Sequence, residues 1–271
     1  MTRDRWQDSA VGGFMIDAGI REAVRAVGGQ RNRRPLLAFL HTAAASEASF
    51  GALVAERAPD VLVRHRVCEA LLVAARRAGG VDAALAGRVS AEIEDLVAAG
   101  ARVVVCTCST LGAVAEELAP ALAPRAVVQR IDRAMADRAA ALALAFARGA
   151  ERSGRASDCA RRIVALATLE STAAPTCALL EDAARRAGAR VEIALRIVEG
   201  AWQRFERGDL EGYAEALVSA LREAAPAADV LVLAQGSMAA AAERCGDLGV
   251  PVLASPRLGV EAALAALADR A

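Results

Sequence analysis

The sequence predicts an α/β protein of two pseudo-symmetric lobes, each a four-stranded parallel sheet flanked by helices. Three observations predict it. Short apolar, β-branched runs recur between segments of helical periodicity, the signature of parallel strands covered on both faces. The order of those runs in the first half returns in the second. The chain has 271 residues, enough for one large domain or two small ones.

Residues 1–34 read differently from the rest: polar, with a basic cluster at Arg31, Arg33 and Arg34, and stopping at Pro35. They are expected to form an N-terminal extension, with at most one helix over 17–27. From Pro35 the alternation begins. PLLAFLH (35–41) is a first strand, followed by helical spacing through Phe50, Leu53 and Val54. DVLVRHRV (60–67) is a second strand, and a helix then leads to Gly100. ARVVVCT (101–107) is a third strand, LGAVAEELA a short helix ended by Pro120, and RAVVQRI (125–131) a fourth strand. In the second half ARRIVALAT (160–168) matches the opening strand and Pro175–Gly188 its helix. ARVEIALRIV (189–198), AADVLVLAQ (227–235) and GVPVLAS (249–255) match the remaining three strands.

Composition narrows the chemistry. Lys+Arg and Asp+Glu are both 33, so no basic field for nucleic acid exists, and every one of those cations is Arg. Without a lysine there is no Schiff base and no phosphate-loop lysine. Imidazole comes only from His41 and His65, which excludes a multi-histidine metal site. No stretch is apolar and long enough to span a membrane, and the N-terminus has acidic residues where a secretory leader would be basic. Six cysteines without a framework spacing fit a reduced, cytoplasmic protein. Assembly into a homo-oligomer is compatible with all of this.

In open parallel sheets the ligand crevice lies beyond the carboxyl ends of the strands. Four loops fall there: His41–Ser46, Thr107–Thr110, Thr168–Thr172 and Gln235–Met238. All are dense in small hydroxyl or amide residues, which together with backbone N–H groups suit a carboxylate. Helix capping is the ordinary role for Ser46, Ser109 and Thr172 taken singly. Four such loops at paired positions of a repeat point instead to one shared anion site. Within them, Cys106 reads as a small buried strand side chain. Cys108 lies past the strand end, where a helix N-terminus favours its thiolate and lowers its pKa. A metal site on the Cys106–Cys108 pair lacks further ligands nearby, and Cys68, Cys159, Cys177 and Cys245 read as structural thiols.

These residues resemble the aspartate/glutamate racemase superfamily, which includes hydantoin racemases, maleate isomerases and arylmalonate decarboxylases. The resemblance covers residues 35–271 and is carried by VVVCTCSTLG (103–112), HTAAAS, ATLEST, VLVLAQGSM (230–238) and ASPRLGVEAAL (254–264). It implies proton transfer next to a carboxylate or imide of a small molecule, with no metal or organic cofactor. It also implies that the last helix, 257–269, crosses back to the first lobe, giving lobes of 35–130 plus 255–271 and of 131–254. Racemases of the family use two cysteines, one per half. Cys108 matches the first; Ser109, Thr110, Thr42 and Thr168 match polar substrate-binding positions, with Thr172 beside them. Where the second cysteine belongs the chain has Gln235, followed by Gly236 and Ser237. A glutamine amide does not shuttle protons near neutral pH, so one thiol is expected to act alone, with Gln235 and Ser237 as hydrogen-bond donors across from it. Arg130, Arg133 and Arg257 are candidate cations for the substrate. Two other readings stay open: a carboxylate-binding relative without chemistry, and an amino-acid racemase with a non-cysteine second base such as Ser237.

Overall fold

The computed structural model describes residues 34–152 and 160–270. The expected helix over 17–27, Arg31, Arg33 and Cys159 lie outside the described residues. The first half runs β1 (Leu36–His41), α1 (Ala45–Arg57), β2 (Leu62–Val67), α2 (Glu69–Ala78), α3 (Ala83–Ala98), β3 (Val103–Cys106), α4 (Gly112–Leu122) and β4 (Val127–Arg130). Helix α5 (Arg133–Arg152) leads to the second half. That half runs β5 (Arg161–Ala167), α6 (Glu170–Ala187), β6 (Val191–Ile197), α7 (Ala201–Glu206), α8 (Leu210–Ala224), β7 (Val230–Leu233), α9 (Ala239–Glu243), β8 (Val252–Ala254) and α10 (Ser255–Ala268).

The eight strands form two four-stranded sheets, ordered β2-β1-β3-β4 and β6-β5-β7-β8, with every pairing parallel. The second order is the first advanced by four strands, so the duplication read from the sequence is a duplication of topology. Strands β3 and β7 are buried along their whole length, which is why they read as continuous apolar runs. Alternation along β1 decides which layer each residue joins. Leu37 and Phe39 pack with Phe50 and Val54 of α1, whereas Ala38 and Leu40 pack with α2, α3 and α4 through Leu72, Ile93 and Ala115. In the second half Val164 and Leu166 meet Leu217 and Leu221 of α8, while Ile163 and Ala165 meet Leu179 and Leu180 of α6.

Two helices cross between the sheets. Helix α5 leaves β4 yet places Met135, Ala136 and Ala139 against the second sheet. Helix α10 leaves β8 yet packs Val260, Ala263 and Leu267 on the first, beside Leu37 and Val105. Among the described residues, no helix is long and apolar enough to cross a membrane.

Three helix expectations need correction. The segment before Gly100 is two helices, not one. Gly79 takes φ +70°, the left-handed conformation that closes α2, and Asp82 starts α3 by accepting the Leu85 N–H at 2.8 Å. Pro120 does not end its helix: α4 continues to Leu122, whose buried side chain holds the final turn in the core. Pro175 does not begin α6, which starts at Glu170; the buried Thr172 and Thr176 on either side of the proline keep that first segment helical against the body of the protein. The strands are also shorter than expected at several carboxyl ends, because the chain there turns into the loops described next.

Candidate functional site

The loops after β1, β3, β5 and β7 meet in one cleft between the two sheets. It has a volume of about 70 Å³ and is lined by Thr42, Ala43, Ser46, Phe50, Leu72, Thr107, Cys108, Ser109, Thr110, Leu169, Thr172, Trp202, Phe205, Gln235, Gly236 and Ser237. Of the catalytic and hydrogen-bonding residues expected from the sequence, every one lies in this lining except Thr168. Thr168 stands just behind Gln235 and borders a second, larger groove of about 600 Å³, which shares Leu169 and Trp202 with the cleft.

The hydroxyls are not helix caps. Helices α1 and α6 and the turn at Ser109–Leu111 all lack a side-chain cap. Ser109 instead donates its O–H to the Ala234 carbonyl across the cleft at 2.8 Å, and the Thr110 and Thr172 hydroxyls meet at 3.3 Å. Both bonds join one half of the repeat to the other, so they fix the separation of the two cleft walls.

Cys108 sits at the mouth of β3 with its thiol almost completely buried. Burial pushes the thiol above its ordinary 9.0, because a thiolate loses its hydration there. The Thr42 hydroxyl, the backbone N–H groups of Leu111 and Thr110, and the Thr110 hydroxyl pull in the opposite direction without outweighing it. The expected lowering of the pKa is therefore overturned: desolvation exceeds the help from the turn's N–H groups. Cys106 is fully buried in β3, its thiol pushed up to about 12, and donates to the Cys108 carbonyl at 3.7 Å.

Gln235 occupies the place in the second half that Cys108 occupies in the first. The Thr168 N–H and O–H both donate to its Oε1, at 2.6 and 2.9 Å. A backbone N–H can only donate, so these contacts fix which end of the amide is oxygen. The Nε2 end is then left to present its donors to the cleft.

None of the three candidate cations lines the cleft. Arg130 is buried and bonded to Asp132 at 2.6 and 3.1 Å and to the Ser109 carbonyl at 3.3 Å. It serves as a brace beneath the loop that carries Cys108 and Ser109. Gly112 makes room for it, since a Cβ there would come within 2.6 Å of Arg130 Nε. Arg133 pairs with Glu116 and Asp182, and Arg257 with Glu56 at the surface. Among the described residues, the cleft lining carries no charged side chain.

A chain of directed hydrogen bonds supports the cleft from behind. Thr107 gives its hydroxyl proton to the Leu40 carbonyl at 3.1 Å, so toward His41 Nδ1 at 2.9 Å it can only accept. His41 is then the Nδ1–H tautomer, and its Nε2 accepts from His65 Nδ1 at 2.9 Å. Burial, with His65 adding to it, pulls the His41 pKa down to about 4 from 6.5. A folded-state pKa below the unfolded one means that the unfolded chain takes the proton first as the pH falls. Stability is therefore full above about pH 6.5 and lost between there and pH 4, by about 3 kcal/mol for this group. Denaturant titrations at pH 7 and pH 4.5 should show a smaller difference for His41→Gln than for the unaltered protein; equal differences would refute the assignment.

The sequence reading missed the apolar wall: Phe50, Leu72, Trp202 and Phe205. It also missed Tyr213, whose hydroxyl meets Ser237 Oγ at 2.9 Å. A signal existed. The chain has only five Phe, two Trp and one Tyr, and three of these aromatics fall at 202, 205 and 213, in α7 and the first turn of α8.

No protein-family model matches the chain, and no curated protein matches it. Solved structures do. A glutamate racemase from Francisella tularensis matches with a TM-score of 0.58 at 11% identity, over 88% of this chain and 82% of that one. A putative Asp/Glu racemase from Yersinia pestis matches at 0.58 and 15% identity, over 86% and 99%. An allantoin racemase from Klebsiella pneumoniae matches at 0.52 and 18% identity, over 87% and 89%. The chain shares its fold with these racemase structures.

Proposed function

We propose that this protein is a cofactor-independent isomerase of the Asp/Glu racemase superfamily, moving a proton at a carbon next to a carbonyl, with Cys108 as the acid–base group. The substrate class we propose is a small cyclic imide or ureide of the hydantoin type, or a small monocarboxylate. One observation carries this reading: a buried thiol lies in a cleft whose lining, among the described residues, offers hydrogen-bond donors and apolar rings and no charge. The fold shared with glutamate, aspartate and allantoin racemases supports it.

The chemistry follows from the lining. A substrate carbonyl that accepts from Gln235 Nε2 and from the cleft hydroxyls gains electron-withdrawing power as negative charge moves onto its oxygen. The neighbouring C–H bond is then acidic enough for the Cys108 thiolate to take the proton, and the thiol can return it. Trp202, Phe205, Phe50 and Leu72 keep water from competing. Aspartate and glutamate carry a second carboxylate, for which the described residues of this cleft provide no cation, and a buried charge without a partner costs several kcal/mol.

Proton exchange in deuterated water tests the reading, with 5-methylhydantoin, aspartate, glutamate, methylmalonate and maleate as probes and a protein-free control. Carbon-bound proton exchange should be at least about tenfold faster for the hydantoin than for aspartate or glutamate, a difference of about 1.4 kcal/mol. Because the Cys108 thiol lies above 9.0, the rate should climb with pH through that range. Saturable binding without exchange would identify a binding protein instead, and faster exchange of the two amino acids would overturn the substrate class.

A further inference from the structure

The two halves of the repeat differ where the chemistry would need them to match. Helices α3 and α8 both begin at an aspartate cap: Asp82 accepts the Leu85 N–H at 2.8 Å, and Asp209 accepts the Gly212 N–H at 3.0 Å. Aligning these caps pairs Cys108 with Gln235, Thr110 with Ser237 and Ala86 with Tyr213. The half without the thiol therefore has a phenol where the other half has a methyl group. That phenol is the chain's one tyrosine, it is 3% exposed, and its hydroxyl reaches the cleft through Ser237 Oγ at 2.9 Å.

We propose that Tyr213 and Ser237 together carry the proton on the wall of the cleft across from Cys108. The inference rests on the isomerase reading above. The hydrogen-bond directions allow it. The Thr168 hydroxyl gives its proton to Gln235 Oε1, so toward the Tyr213 hydroxyl it can only accept. Tyr213 can then donate either to Thr168 or to Ser237, and Ser237 presents to the cleft a lone pair in the first case and a proton in the second. Hydroxyl pairs of this kind pass a proton by each giving one and taking one.

The step balances. The Cys108 thiolate takes the proton from the substrate carbon, forming S–H and leaving the C–H electron pair delocalised onto the carbonyl oxygen. Ser237 gives its proton to the opposite face of that carbon, forming the new C–H bond, and takes the Tyr213 proton as it does so. The phenolate left on Tyr213 accepts from Ser237 until it recovers a proton, from the reverse reaction or from water. The groups facing the phenol are Ser237, Thr168 and the Phe205 ring, none of them charged. Burial holds its pKa above the ordinary 10.0, which keeps the phenol protonated and able to donate.

The test follows each enantiomer of 5-methylhydantoin in deuterated water, separating exchange with retention from inversion. Retention needs Cys108 alone and should rise with pH. Inversion needs the Cys108 thiolate together with the Tyr213 phenol, so its pH profile should be a bell. Tyr213→Phe should lower inversion about 100-fold or more, the usual contribution of one acid–base group, and remove the falling alkaline limb. Retention should fall far less. Ser237→Ala should lose inversion in the same way, and it decides the matter if Tyr213→Phe fails to fold by circular dichroism. Inversion undiminished in a folded Tyr213→Phe overturns this inference and leaves the isomerase reading in place; exchange by the unaltered protein without any inversion overturns this inference and leaves proton transfer by Cys108 but not isomerisation of the hydantoin. No exchange of any probe overturns both.

Discussion

Cys108→Ala is expected to abolish proton exchange with every probe, by retention and inversion alike, a loss of about 10³-fold or more. Cys106→Ala, two residues away, should leave the exchange rate within about threefold and cost about 1 kcal/mol of stability. The contrast follows from where the two thiols lie. Cys108 lines the cleft, where nearby donor groups of Thr42, Thr110 and Leu111 favour its thiolate. Cys106 points into the core of the first sheet, donates to the Cys108 carbonyl, and with its thiol pushed up to about 12 stays protonated. Cys108→Ser is a stricter version of the test. The hydroxyl keeps the hydrogen bonds but ionises only at far higher pH, so it should be as inactive as alanine. A serine variant retaining more than about a tenth of the exchange would show that Cys108 binds substrate without accepting its proton.

Much of this site was legible in the sequence because a parallel sheet forces it. Once β1, β3, β5 and β7 are recognised as central strands, their carboxyl-terminal loops must share one end of the fold, and Thr42, Cys108 and Gln235 come together by topology alone. Polar residues at matching places in a repeat were informative for the same reason. What escaped reading depended on side-chain depth and helix placement. The dipole argument for Cys108 saw the N–H groups of the turn and not the desolvation that exceeds them. The contact between Tyr213 and Ser237 depends on how α8 packs over β7, which no local pattern fixes. His65 reaches His41 because the parallel register sets His65 beside Phe39, on the same face and one step diagonal to His41. The candidate arginines misled because an arginine near a strand end has two uses, and a buried aspartate two residues after Arg130 had already claimed it.

Gln235→Cys should give the second wall its own thiol, and it separates the two routes to the substrate's far face. In the Tyr213→Phe background, where the hydroxyl route is cut, adding Gln235→Cys should raise inversion by about 100-fold, since a thiol at the place paired with Cys108 can give and take a proton without a relay. The pH profile should change with it. In place of a limb set by a phenol, both limbs should follow thiols, and the bell should move to lower pH because the ordinary thiol value lies below that of tyrosine. The substitution has a structural cost that can be measured independently. Thr168 loses the acceptor for both its N–H and its O–H. The hydroxyl can turn elsewhere, but the buried N–H is left unpaired, which costs about 1–3 kcal/mol and lowers the melting temperature by about 2–10 °C for a body of this size. A double variant that folds, shows that loss of stability, and yet inverts no better than Tyr213→Phe alone would mean that the Gln235 position does not face the reacting carbon. In that case the pairing of Cys108 with Gln235 across the cleft would hold for the backbone of the repeat and not for its chemistry.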